Sequence, residues 1–129
     1  MSLAQIIRDL KSGQQRTIRH VWSEPQFPGA SNMLAVYCLS LPYPVAEVWY
    51  QFDVNLDLVI ADSYVRPLYR RLGLRARLNT LLFQSYPTAQ KITTQMGSML
   101  GKKFMRATGY RQVDRHWEVT RAVWEKRHG

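Results

Sequence analysis

The stretch that decides the fold reads Tyr64-Val65-Arg66-Pro67-Leu68-Tyr69-Arg70-Arg71-Leu72-Gly73-Leu74-Arg75-Ala76-Arg77-Leu78. Just upstream, the run beginning at Asn55 passes through Leu56-Asp57-Leu58-Val59-Ile60-Ala61 and continues to Val65, an apolar composition rich in strand formers. Pro67 fits the first turn of a helix, where a missing N–H is no loss. Leu68, Leu72, Ala76, Leu78, Leu81 and Leu82 then supply an apolar stripe at helical spacing that ends near Tyr86-Pro87. A strand therefore feeds a helix. Free N–H groups and the helix dipole make such a junction a ready anion site. Gly73 lets the backbone approach a phosphate closely, and Arg70, Arg71 and Arg75 offer charge-assisted contacts.

Upstream of this junction the pattern is one of hairpins. Met33 to Leu41 is apolar, with Val36, Tyr37 and Cys38 at its centre, and reads as a buried strand. Pro42-Tyr43-Pro44 is a turn, and Val45 to Asp53 reads as a second strand that pairs with the first. Pro25, Pro28 and Gly29 mark a loop, while Arg16 to Trp22 fits strand or helix. At the N-terminus Ser2 suits a helix cap, Leu3, Ile6, Ile7 and Leu10 form a stripe, and Gly13 stops it. Downstream, Lys91 to Met96 is a short strand, Gly97 a break, and Met99, Leu100, Phe104 and Met105 one face of a helix closed by Gly109. Tyr110 to Thr120 reads as a last strand, followed by a tail that extends as a short helix or frays. The order predicts a mixed sheet covered by helices, an α+β or α/β domain.

Composition narrows the function classes. With 129 residues the chain is expected to form one domain, residues 1–129. Its 46% hydrophobic and 21% charged residues suffice for a packed core. The single cysteine, Cys38, excludes an intrachain disulfide framework and any zinc site built on two cysteines, and is read as a core residue. His20, His116 and His128 are scattered without metal-ligand spacing. No run approaches about 18 apolar residues, and the first residues are too polar for a secretory signal, so a cytoplasmic, reducing location is expected. The formal net charge is +9, yet no Asp or Glu occurs from Ser63 to Val113, where ten basic residues sit. The excess is therefore a local field that suits a phosphate-bearing cofactor, a nucleic acid or an acidic protein.

The junction resembles the GNAT superfamily of N-acetyltransferases. Their pyrophosphate motif runs V-x-P-x-Y-R-x-x-G-hydrophobic-G-x-x-L, and Val65, Pro67, Tyr69, Arg70, Gly73, Leu74 and Leu78 fall in register with it. Arg75 departs, standing where the family usually has Gly or Ala. A helix ending in Ala107-Thr108-Gly109-Tyr110 before a strand is similar to the family's last helix, and the likeness spans roughly Met33 to Thr120. The resemblance implies a mixed sheet with splayed central strands and acetyl-CoA in the split. It implies that the backbone of Tyr64 and Val65 pairs with the pantetheine arm, and that N–H groups from Arg70 through Arg71, Leu72, Gly73 and Leu74 to Arg75 hold the pyrophosphate. An amine acceptor then attacks the thioester directly. Variable loops, Val21 to Asn32 and Pro42 to Pro44, are expected to shape the acceptor site.

Aminolysis of this kind needs a base. Asp57, a carboxylate in an apolar strand, is the first candidate, at the place where several family members carry a catalytic carboxylate; Asp62 and Glu47 are alternatives. The family's usual acid is a Tyr four residues before the closing Gly, and Met105 stands there, so that role is vacant unless Tyr69, Tyr110 or Ser98 fills it. Two other readings follow: a catalytically silent member of the same fold, and a protein associated with nucleic acid or an acidic partner through residues 63–113. Trp117 near Arg111 and Arg115 is a combination nucleic-acid binders use.

Overall fold

Leu34, Ala35, Val36 and Cys38 are fully buried while the flanking Met33 and Tyr37 are partly exposed, so this strand is covered at its centre on both faces and alternates only toward its ends. The alternation is regular in Ala46, Val48 and Tyr50. A computed structural model describes residues 3–12, 15–26, 29–38, 41–95 and 99–129. It contains α1 (Leu3–Lys11), β1 (Gln15–Val21), β2 (Asn32–Cys38), β3 (Ala46–Phe52), β4 (Leu58–Val65), α2 (Leu74–Ser85), β5 (Lys91–Gln95), α3 (Met99–Thr108), β6 (Arg111–Val113), β7 (His116–Thr120) and α4 (Arg121–His128). The expected cap Ser2, the stop at Gly13, Pro28 and the break at Gly97 lie outside the described residues, as does Ser98.

The strands form one sheet in the order β1-β2-β3-β4-β5-β7-β6. Every pairing is antiparallel except β4 with β5, which α2 connects. The α+β mixed sheet expected from the element order is thus the one observed, and Arg16 to Trp22 resolves as strand. Helix α2 buries Leu74, Leu78, Leu82 and Phe83 against β2, β3 and β4. Behind it, α4 lays Trp124 on Phe83 and Tyr110, and the Trp124 Nε1–H donates to Thr80 Oγ1 at 3.0 Å. Arg121 joins these layers: its guanidinium stacks over Phe83 and donates to the carbonyls of Phe83, Tyr86 and Ala89. No helix among the described residues is long and apolar enough to cross a membrane.

Three expected boundaries move, each for a local reason. The helix does not begin at Pro67. Pro67–Tyr69 form a single 3-10 turn, and Arg71 and Gly73 then adopt φ of 67° and 77°, so α-helical geometry starts only at Leu74. Strand β4 begins at Leu58, because Asp53 Oδ1 accepts the N–H groups of Asn55 (2.8 Å) and Asp57 (3.0 Å) and Leu56 turns at φ 63°. The last strand is a hairpin: Asp114 at φ 53° turns the chain between β6 and β7.

Candidate functional site

The sheet opens in its middle. Strands β4 and β5 pair only at Leu58↔Ile92, Val59↔Thr93 and Ile60↔Thr94. On the other side of β4 the ladder to β3 passes from Tyr50↔Ile60 to Trp49↔Asp62, leaving Ala61 as an extra, bulged residue. A bulge bends its strand, and the pairing with β5 ends at the residue before it. From Asp62 to Val65, β4 pairs with β3 alone. The split holds a cleft of about 1070 Å³. Its walls are Ala61–Val65, the loop carrying Arg70, Arg71 and Gly73, the α2 residues Leu74, Arg75, Leu78 and Asn79, and Gly101, Phe104, Met105 and Tyr110.

The loop at one end is rich in donors. Arg77 N–H donates to the Gly73 carbonyl at 2.9 Å as the first bond of α2. The N–H groups from Arg71 to Ala76 find no backbone or side-chain acceptor among the described residues. These six consecutive donors run into the N-terminus of a 12-residue helix, the kind of position where an anion is favoured. Arg70 shapes the loop from behind, since its Nε donates to the Val65 carbonyl at 3.0 Å. Arg66 is committed elsewhere, donating to the Pro44 carbonyl at 2.8 Å and stacking 4.3 Å from the Tyr43 ring centre. Of the residues singled out in the sequence, Tyr64, Val65, Arg70, Arg71, Gly73, Leu74 and Arg75 line the cleft, while Leu72 packs against the core.

Arg75 occupies the cleft rather than the loop. Its Nε donates to Ser63 Oγ on β4 at 3.1 Å, and its guanidinium lies 4.8 Å from the Phe104 ring centre on α3. The side chain thus crosses from α2 toward both walls. Burial lowers its pKa, partly opposed by Tyr110 and Asp62.

Asp57 does not reach the cleft. Its Oδ1 accepts the Gln90 N–H at 2.8 Å, at the closed end where β4 and β5 are paired, and the carboxylate is largely buried there. The carboxylate that lines the cleft is Asp62, five residues on, about 16 Å along a strand. Glu47, opposite Tyr64, borders a small groove beside it. Met105 is buried in the wall where an acid was sought. Tyr69, also in the wall, is hydrogen-bonded to Tyr43, which together with burial pushes its phenol up to about 12. Tyr110 is buried, its hydroxyl has no partner among the described residues, and burial raises its pKa well above the ordinary phenol. Sequence reading missed Asn79. It is buried in the cleft wall, one turn after Arg75, and its position on Arg75's face of the helix was the available signal.

The remaining singled-out residues are structural. Cys38 is buried, and desolvation raises its thiol pKa. Trp117 is buried beneath Arg106. No group of three metal-ligating side chains occurs among the described residues.

No protein-family model matches the sequence, and no curated protein matches it either. Solved structures do match. A candidate N-acetyltransferase from Lactobacillus plantarum superposes with a TM-score of 0.64 at 10% identity, covering 82% of this chain and 97% of that one. The chain has the GNAT fold. A candidate N-acetyltransferase of Escherichia coli, YhhK, solved with coenzyme A bound, gives a TM-score of 0.64 at 15% identity over 82% of this chain and 98% of its own. A GNAT-family acetyltransferase of Staphylococcus aureus gives 0.61 at 11% identity, and this chain spans 66% of its length. The GNAT fold accounts for the split sheet and for the loop of free donors at the start of α2.

Proposed function

We propose that the chain is an acyl-CoA-dependent N-acyltransferase, most simply one that moves acetyl from acetyl-CoA to an amine. The observation that carries this reading is the run of six acceptor-less N–H groups from Arg71 to Ala76 at the mouth of the β4–β5 split. The donors suit a pyrophosphate, and the unpaired edge of β4 at Tyr64 and Val65 suits the amides of a pantetheine arm. In the transfer, the acceptor ammonium gives a proton to Asp62, directly or through water. Its nitrogen then attacks the thioester carbonyl, so that a C–N bond forms and the C–S bond breaks. The sulfur leaves with the electron pair and takes up the second proton, which the nitrogen sheds as it becomes the amide, giving the amide and coenzyme A. Asp62 replaces Asp57 in this scheme because it alone of the two lines the cleft.

The test is acetyl-CoA titration by calorimetry and thermal shift, with Asp62→Asn as the kinetic partner. Ligand at a hundred times its dissociation constant stabilises the fold by about 2.7 kcal/mol. No stabilisation at millimolar acetyl-CoA overturns the transferase reading. A second reading, a silent GNAT-fold binding protein, is favoured by Arg75 across the cleft and Met105 at the acid position. In that reading Arg71, Arg77, Lys102 and Lys103, which make no ion pair among the described residues, face an acidic macromolecule. Salt-dependent retention on nucleic acid without acetyl-CoA binding supports it.

A further inference from the structure

Beside the cleft, reaching it through Asp62 and Tyr64 and the small groove at Glu47, lies an arrangement that the basic character of the chain does not predict. On β3 and β4, Glu47 stands opposite Tyr64 and Trp49 opposite Asp62. Opposed residues share a face, as do alternate residues along a strand. The four therefore form a two-by-two checkerboard of acid and aromatic on one face of the sheet. The other face at these positions carries buried Val48 and the Ser63 that Arg75 holds. The checkerboard is open: Asp62 and Tyr64 are exposed, and Glu47 and Trp49 half-buried. Trp49 is held in place by a ladder, its ring 5.3 Å from Trp22 at 16° and Trp22 5.8 Å from His20 at 19°.

Charge makes the patch informative. The chain has twice as many Lys and Arg as Asp and Glu, yet neither Glu47 nor Asp62 has a cation within ion-pair distance among the described residues. Among the described residues Asp62 accepts the neighbouring Ser63 N–H, at 2.9 Å, and acts on the Arg75 guanidinium from beyond ion-pair distance. The nearby cations are engaged: Arg66 with Pro44 and Tyr43, Arg75 with Ser63 and Phe104, and Arg70 with Val65 while lying 5.8 Å from the Tyr64 ring centre. Two carboxylates without an ion pair, beside the Tyr64 ring that already draws the Arg70 guanidinium and the Trp49 face not stacked on Trp22, are what an organic cation recognises.

From this geometry we infer that the acceptor is a dication, an amine bearing a second positive centre, with Asp62 beside the reacting nitrogen and Glu47 beside the fixed charge. The inference rests on the acyl-transfer reading of the cleft. A second charge holds the acceptor after its reacting nitrogen has given its proton to Asp62 and become neutral for the attack. Glu47 and Asp62 stand diagonally across the two strands, about 7–8 Å apart. That separation suits two ammonium groups joined by a chain of about five methylenes, with Trp49 and Tyr64 flanking the charges. Acidic amines are excluded by the same carboxylates.

The experiment compares diaminopentane with pentylamine in an acetyl-CoA assay that reads released thiol, alongside calorimetry of diaminopentane alone. The expected result is a kcat/KM about tenfold higher for diaminopentane, corresponding to about 1.4 kcal/mol. Glu47→Gln removes that advantage through KM. Glu125→Gln, on α4, leaves it in place. Thiol release with equal rates for both amines overturns the dication inference and leaves the transferase reading standing. Absence of thiol release, with diaminopentane binding that weakens in Glu47→Gln and at high salt, supports the cation site and overturns the transferase reading. Absence of both binding and preference overturns the inference outright.

Discussion

Arg75 offers the sharpest perturbation of the cleft. Its side chain donates to Ser63 Oγ and stacks on Phe104, so it spans the space in which a pantetheine arm would lie. A ligand that enters must displace it. The hydrogen bond is worth about 0.5–1.5 kcal/mol at this exposed position, and the cation–π contact about 0.5–1 kcal/mol. Removing both in Arg75→Ala lowers the cost of entry by about 1–2.5 kcal/mol, which predicts acetyl-CoA binding about 5- to 70-fold tighter. The free protein loses the same contacts, so its Tm falls by about 4 °C. Calorimetry of the wild type, Arg75→Ala and Arg75→Lys with acetyl-CoA reads the first effect, and thermal unfolding reads the second. If Arg75→Ala instead binds about tenfold more weakly, the guanidinium serves as a phosphate ligand and the reasoning from its position fails.

Three further outcomes follow from the packing. Asp57→Ala strands the Gln90 N–H and costs about 1–3 kcal/mol in denaturant unfolding, while acetyl-CoA affinity stays unchanged; a loss of affinity with stability intact would return Asp57 to the site. Gly73→Ala costs about 1–2 kcal/mol from its positive φ alone, since a Cβ there meets nothing within 4 Å, whereas Gly109→Ala costs more because its Cβ would lie 2.9 Å from Arg127 Cδ. Equal Tm losses would show that Arg127 yields freely. Burial raises the phenols of Tyr50 and Tyr110, and the Tyr43 bond with burial raises Tyr69. Unfolded phenols ionise near 10 while these keep their protons, so stability is complete below about pH 10 and falls as pH climbs through about 12. A pH series of Tm checks this, and Tyr110→Phe should flatten the decline.

Much of this was legible because it is local. The apolar run through Val36, the alternation through Val48 and the leucine stripe of α2 report burial directly, and the run from Tyr64 to Leu78 announced a strand feeding a donor-rich loop. What was hidden depends on partners distant in sequence. Asp57 looks like a lone carboxylate in an apolar strand, and only the fold reveals that Gln90, thirty-three residues on, takes its oxygen. Arg71 at φ 67° carries no signal, since arginine does not favour that region, and its turn delayed α2 by two helical turns. The turn at Asp114 was readable, because Asp tolerates left-handed backbone, but Val113 before it and Trp117 and Val119 after it gave the stretch the look of one strand. The checkerboard of Glu47, Trp49, Asp62 and Tyr64 depends on register, which no single strand contains.

The bulge at Ala61 has a consequence for how such a cleft is inherited. Ile60 and Asp62 already stand opposite consecutive residues of β3, Tyr50 and Trp49, so excising Ala61 would leave a regular ladder with every side chain on its present face. The strand would lose its bend and could go on bonding to β5 beyond Thr94. The opening is therefore a matter of residue count more than of residue type: almost any side chain at 61 preserves it, and a single-codon deletion could zip it shut.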